Sequence, residues 1–276
     1  MTALPNSSRP SELLRLTPNN PVAELFDSLR LWRLWSMMGV NDIRQRYRNS
    51  VLGPLWLASG LGITIIGISL LYSQIMRVSF TEFAPFLTAG LMVWTFISAL
   101  AVESCAGYYS AEGLIKSLQV PYFVYIFRVV CRNVIVLAHN IAVLLIVYTA
   151  FGRIMGIHVP QVLAGFALLI LFSVGMCAAF SAIGTMFKDF SQIVAQVFQL
   201  LVFLTPVFWM PTALSHRREF LHYNPFFYLL EVIREPLLGQ SPVPNLWVGA
   251  VGVTLASLLV GFISYAVSRK SIVFYL

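Results

Sequence analysis

Largely uncharged hydrophobic runs, most of them closed at their ends by arginine, lysine, glycine or proline, set the pattern of this chain. At about 1.5 Å per helical residue, crossing roughly 30 Å of hydrocarbon takes about 20 residues. Runs suited to that length lie at 54–76, 83–105, 122–148, 162–187, 193–210 and 246–267 and predict six transmembrane helices. The third carries Arg128 and Arg132 one turn apart near its start, so its apolar part is effectively 133–151. Ahead of the first run the pattern changes. Residues 23–47 alternate apolar and charged positions, with Leu25, Leu29, Trp32, Trp35 and Met38 at three- and four-residue spacing and Arg30, Arg33 and Arg44 off that stripe. This predicts an amphipathic helix in the membrane interface. Between it and the first run stand Arg44, Arg46 and Arg48, then Gly53-Pro54. Arginine is held outside hydrocarbon by the cost of burying charge, and Pro54 suits a first helical turn, so the membrane surface falls close to Pro54.

One stretch outside the spans is long and unusually apolar. Residues 211–245 contain Asn224-Pro225, a helix start, and Gly239 with Pro242, a helix stop. A short helix is therefore expected over 226–238. It is too short to span and, with Phe226, Phe227, Tyr228, Leu229, Leu230 and Ile233, too apolar for a free loop. It is expected to dip into the outer membrane boundary or cap a cavity. The pattern predicts an all-α integral membrane protein: an N-terminal tail (1–22), an interfacial helix (23–50) and a six-span domain (51–276). No internal repeat or low-complexity segment marks a second domain.

Composition agrees. The chain is 58% hydrophobic and only 11% charged, against roughly 25% charged residues in an average soluble domain. The net charge of +7 comes from basic residues beside hydrophobic runs rather than along a solvated face, which points to membrane orientation and lipid head groups, not nucleic acid. Sorted by the six-span topology, thirteen Lys and Arg fall on the side of the termini and five (Arg77, Arg153, Arg217, Arg218 and Arg234) on the other. The positive-inside rule then puts both termini in the cytoplasm. Arg9, Arg15, Arg30 and Arg33 interrupt any signal-peptide core, so the N-terminus is expected to be retained. Cys105, Cys131 and Cys177 lie within or at the ends of apolar runs and read as packing residues.

Little in the chain signals chemistry of its own. Asp27, Asp42 and Asp189 are scattered, and no acidic cluster suggests a metal or an activated nucleophile. Gly113-Leu114-Ile115-Lys116-Ser117 lacks the adjacent Gly-Lys-Ser/Thr of a phosphate loop, so ATP hydrolysis is not expected here. His139 beside Asn140 is the one deep ionisable candidate and reads as a helix-helix hydrogen-bonding residue.

Taken together, several motifs resemble the membrane subunit of ABC exporters that carry lipid-linked polysaccharides such as O-antigen, capsule or teichoic-acid chains. The matches are Arg46-Tyr47-Arg48-Asn49-Ser50-Val51-Leu52-Gly53-Pro54-Leu55-Trp56, Leu87-Thr88-Ala89-Gly90-Leu91-Met92-Val93-Trp94, Phe187-Lys188-Asp189-Phe190, Leu204-Thr205-Pro206-Val207-Phe208-Trp209 and Asn224-Pro225-Phe226. They run in order through nearly the whole chain from Ala23. Lys188 departs from the Arg common at that place, keeping the charge but not bidentate pairing.

The resemblance implies a six-span half-transporter of the bacterial cytoplasmic membrane that dimerises around a channel and binds two copies of a cytoplasmic ATPase. ATP and Mg belong to that partner, and no cofactor is expected on this chain. The substrate implied is an undecaprenyl-type lipid-linked glycan, in contact with membrane lipid. A coupling helix at 111–118 would dock on the ATPase through Glu112, Gly113, Leu114, Ile115 and Lys116. For Arg44, Arg46 and Arg48 two readings stand: pairing with the pyrophosphate of the lipid-linked head group, which guanidinium suits, or setting orientation alone. Spans one and five line the channel in this family, which points to Trp56, Tyr72, Gln196, Phe198, Gln199, Phe203, Phe208 and Trp209. Sugars stack on aromatic rings through their C–H faces, although aromatics at helix ends also serve as interfacial anchors. Residues 211–245 resemble the external gate, with Phe226, Phe227, Tyr228, Glu231, Arg234 and Glu235 as its helix. Two other functions fit the same sequence: a drug or small-lipid exporter of the same superfamily, and a membrane transferase acting on lipid-linked sugars.

Overall fold

The computed structural model describes residues 20–48, 55–117, 120–211 and 218–276. The expected boundary at 49–54, most of the N-terminal tail, residue 118 and residues 212–217 of the expected gate lie outside these. Among the described residues the structure is helical and holds no strand.

Two helices stand where one amphipathic helix is expected: α1 (Pro21–Arg30) and α2 (Trp32–Arg46). Asn20 caps α1 by accepting the Val22 N–H at 2.9 Å, and Pro21 occupies the first turn, where a missing N–H is harmless. The break is at Leu31, whose N–H doubles onto the carbonyls of Asp27 and Ser28. Leu25, Trp35 and Met38 pack on the protein, but Leu29 and Trp32 of the expected stripe face outward at 46% and 56% exposure. Glu24 and Ser28 take the buried face instead. Charge pairing explains that choice: the fully buried Glu24 accepts the Tyr122 N–H at 3.0 Å and pairs with Arg269 at 3.6 Å.

The long helices follow the apolar runs closely. They are α3 (Leu55–Met76), α4 (Phe80–Cys105), α6 (Phe123–Ala150), α7 (Val159–Met186) and α10 (Pro244–Ser268). These five are long and apolar enough to cross a membrane, in α3 over Ser59–Met76. Helix α4 is the central post: every residue from Phe83 to Trp94 is buried, as expected of a helix that is apolar all round. Helices α7 and α10 pack most closely, because Gly175 and Gly261 let their backbones meet; a Cβ on Gly261 would run into the Gly175 carbonyl. Shorter pieces complete the chain: α5 (Glu112–Ser117), α8 (Phe190–Leu204), α9 (Pro225–Leu237) and α11 (Ile272–Tyr275).

The fifth expected span differs. Its helix α8 has 15 residues, about 22 Å of rise and short of the hydrocarbon thickness. It stops because Thr205, which precedes Pro206, is extended at ψ 138°, the conformation a following proline favours. Residues 205–210 continue without helix.

Candidate functional site

Two polar assemblies lie against α4, one at its C-terminal end around Glu103 and one against its first half around Phe86 and Gly90, about 20–25 Å apart along its axis. The first joins three helices. Arg128 and Arg132, one turn apart on α6, share a face. Arg128 grips Asp42 of α2 with both ends of its fork, Nε at 2.8 Å and Nη2 at 2.6 Å. Arg132 bridges Asp42 at 3.2 Å and Glu103 of α4 at 2.7 Å. Asn133 Nδ2 donates to Glu103 Oε2 at 2.8 Å, and Arg46 Nη2 to Glu103 Oε1 at 2.8 Å. Glu103 lies in the last turn of α4, where the helix dipole disfavours a carboxylate. The guanidiniums around it offset that cost, and the carboxylates in turn satisfy two arginines set inside an apolar helix.

The second assembly brings three of the sequence motifs into contact. Asn224 caps α9 by accepting the Phe226 N–H at 3.0 Å, while its Nδ2 donates to Thr205 Oγ1 at 2.8 Å and to the Leu204 carbonyl at 3.4 Å. Trp209 Nε1 donates to the Phe203 carbonyl at 3.1 Å, and Arg234 Nη1 to the Pro206 carbonyl at 2.6 Å. The interrupted end of α8 is thus supplied with donors, as irregular backbone between apolar helices requires. Gly90 of α4 lets the Val207 carbonyl approach, and Trp94 packs on Phe198 at 6.0 Å and Phe226 at 5.8 Å.

Arg234 is fully buried, pairs with Glu231 through Nε and Nη2, and stacks 4.0 Å above the Phe86 ring. Beside it opens a cavity of about 480 Å³ bordered by Glu82, Arg153, Glu231, Arg234, Glu235 and Gln240. Burial, reinforced by the Glu231 charge and opposed by Arg234, pushes the Glu235 carboxyl up to about 6. Phe227 is buried. Tyr228 donates its hydroxyl to the His222 carbonyl at 3.1 Å.

The remaining expected residues scatter. Arg44 and Arg48 are exposed, whereas Arg46 is engaged by Glu103. In α5, Glu112 pairs with Lys116 at 2.5 Å, and Lys116 also donates to the Leu276 carbonyl at 2.9 Å. Gly113 is exposed, Leu114 half-buried and Ile115 buried. Nearby, Lys188 lies over the Tyr109 ring at 5.3 Å. Of the aromatic set, Trp56 and Phe203 are exposed at 63% and 62% and Phe198 is buried. Tyr72, Phe208 and Trp209 are half-buried, with Tyr72 6.2 Å from Phe208. Gln196 and Gln199 are exposed on α8, and Gln192 extends their stripe one turn earlier.

Sequence reading missed the Asp42–Glu103–Arg128–Arg132–Asn133 network. The signal was present: two arginines one turn apart inside an apolar run require carboxylate partners.

The chain is 24% identical over 192 residues to the O-antigen export system permease protein RfbA of Myxococcus xanthus, covering 68% of this chain and 74% of that one. It is 21% identical over 232 residues to an O-antigen export system permease protein RfbA of Klebsiella pneumoniae, covering 79% and 87%. To the polysialic acid transport protein KpsM of Escherichia coli it is 22% identical over 237 residues, covering 84% and 92%. Residues 33–238, which take in the network, the α8–α9 junction and both halves of the Arg234 pair, match the ABC-2 type transporter family, so the chain belongs to that family as a multi-pass membrane transport subunit working with a partner ATPase.

Proposed function

We propose that this chain is the channel-forming subunit of an ATP-driven exporter moving lipid-linked polysaccharide, of the O-antigen or capsule type, out across the bacterial cytoplasmic membrane. The similar permeases of O-antigen and polysialic acid export support the substrate class. In this reading the membrane domain has six crossings, α8 and the following 205–210 segment making the fifth, with both termini cytoplasmic. Two copies enclose the path, each engaging a cytoplasmic ATPase through α5, and ATP and Mg stay on that partner. The α8–α9 junction closes the outer mouth.

The observation that carries the channel reading is the stripe Gln192, Gln196 and Gln199. These residues recur at four- and three-residue spacing and are exposed on an otherwise apolar helix. An amide facing hydrocarbon without a partner costs several kcal/mol. Such a stripe therefore belongs against a second copy or a hydrated glycan path, and Phe203 on the same face supplies a ring for sugar C–H surfaces. Loss of the gene tests the reading: lipid-linked glycan accumulates on the cytoplasmic face while surface glycan disappears. Normal surface glycan with loss of resistance to a drug would point to the small-molecule exporter instead.

A further inference from the structure

The network at the α2 end of α4 is built so that one of its members can leave. Asp42, Arg128 and Arg132 have side chains only 12%, 13% and 12% exposed, whereas Arg46 is 43% exposed and holds its carboxylate through a single contact. Glu103 keeps Arg132 and Asn133 on Oε2 when Arg46 departs. Its other oxygen, Oε1, belongs to a side chain 22% exposed and within reach of water. Helix α2 likewise keeps its attachment through the Asp42–Arg128 fork. The cluster also carries charge to spare, since three guanidiniums (Arg46, Arg128 and Arg132) face two carboxylates (Asp42 and Glu103), leaving one positive charge in excess. Arg44 and Arg48, both exposed, add to the local potential.

We infer that Arg46 exchanges Glu103 for a phosphate oxygen of a lipid head group. Among the three basic residues ahead of the first span, it is the one that makes the discriminating contact. A guanidinium gains a second forked bond on phosphate in place of one bond to Glu103, and Glu103 acts as a placeholder that keeps Arg46 extended between substrates. This rests on the exporter reading where the phosphate is that of a lipid-linked glycan; anionic phospholipid presents the same chemistry.

The test uses the full chain purified in detergent and titrated separately with undecaprenyl pyrophosphate and phosphatidylglycerol, with binding read by native mass spectrometry. R46Q is expected to weaken binding about tenfold, one charge-assisted hydrogen bond, while R44Q changes it less than about threefold. E103Q, which frees Arg46 but retains an acceptor for Arg132, is expected to tighten binding by about threefold or more. Loss confined to the pyrophosphate assigns the exchange to the substrate lipid, and equal loss of both assigns it to bulk phospholipid. If E103Q does not fold, the comparison of R46Q with R44Q decides alone. Wild-type binding by R46Q overturns the exchange. Should R44Q or R48Q lose binding in its place, head-group recognition survives without it; should no arginine variant matter, both fall.

Discussion

Asn224 and Thr205 lie 19 residues apart in sequence, yet the amide of one donates to the hydroxyl of the other at 2.8 Å. That bond joins the start of α9 to the end of α8. With its other face Asn224 caps α9, so one side chain serves two helix ends.

Replacing Asn224 by Ala removes a cap worth about 1 kcal/mol and leaves the buried Thr205 hydroxyl without its donor, for a combined destabilisation of about 2–3 kcal/mol. A double-mutant cycle with T205V, followed by thermal unfolding in detergent, is expected to give a coupling of about 1 kcal/mol. Strict additivity would mean that the two motifs do not communicate.

How much of this was legible in the sequence depends on the physics involved. Helices α4, α6, α7 and α10 lie within a few residues of the runs read from hydropathy, because length and apolarity alone fix them. The start of α9 was legible through Asn224-Pro225, since capping is a local device. The early end of α8 was signalled by Thr205-Pro206, but the carbonyls it strands find donors on Asn224 and Arg234, which no local pattern connects. The break at Leu31 has no composition cue, and the buried face of α1 is set by Arg269, more than two hundred residues away. Asp42 reads as a scattered acid in the sequence because its partners, Arg128 and Arg132, are about ninety residues away.

Breaking the Glu231–Arg234 pair leaves a buried charge. R234M or E231L alone is expected to destabilise by about 3–5 kcal/mol, while the double replacement recovers most of that loss. The recovery stays incomplete because the Pro206 carbonyl still lacks its donor. Unfolding midpoints of the three variants check this.

The α7–α10 contact predicts a sharp contrast between two glycines on one helix. G261A drives a methyl group into the Gly175 carbonyl and is expected to cost about 2–3 kcal/mol. G252A meets nothing within 4 Å and is expected to be neutral or stabilising, since Ala is the better helix former by about 1 kcal/mol. Equal behaviour would contradict the packing described.

Glu235 gives a pH signature. Its carboxyl is raised from 4.5 to about 6 in the fold, so the folded state binds the proton more tightly than the unfolded chain. The ionised form is therefore a liability above pH of about 6, and the liability fades as pH falls towards about 4.5. E235Q is expected to raise the unfolding temperature at pH 8 and to leave it unchanged below about pH 4.5. A gain that grows as pH falls would reverse the sign and refute the assignment.

The central claim is that this chain forms a path for lipid-linked glycan, driven by an ATPase it does not contain. Its most direct test places the purified chain with its ATPase in proteoliposomes carrying the lipid-linked glycan, with ATP and a glycan-cleaving enzyme added outside. The account predicts that glycan becomes protected inside the vesicles only when the chain, the ATPase and ATP are all present, and that replacing Gln192, Gln196 and Gln199 by Leu together abolishes protection while the complex stays assembled. Protection without the ATPase, or chemical modification of the glycan by the chain alone, would contradict it.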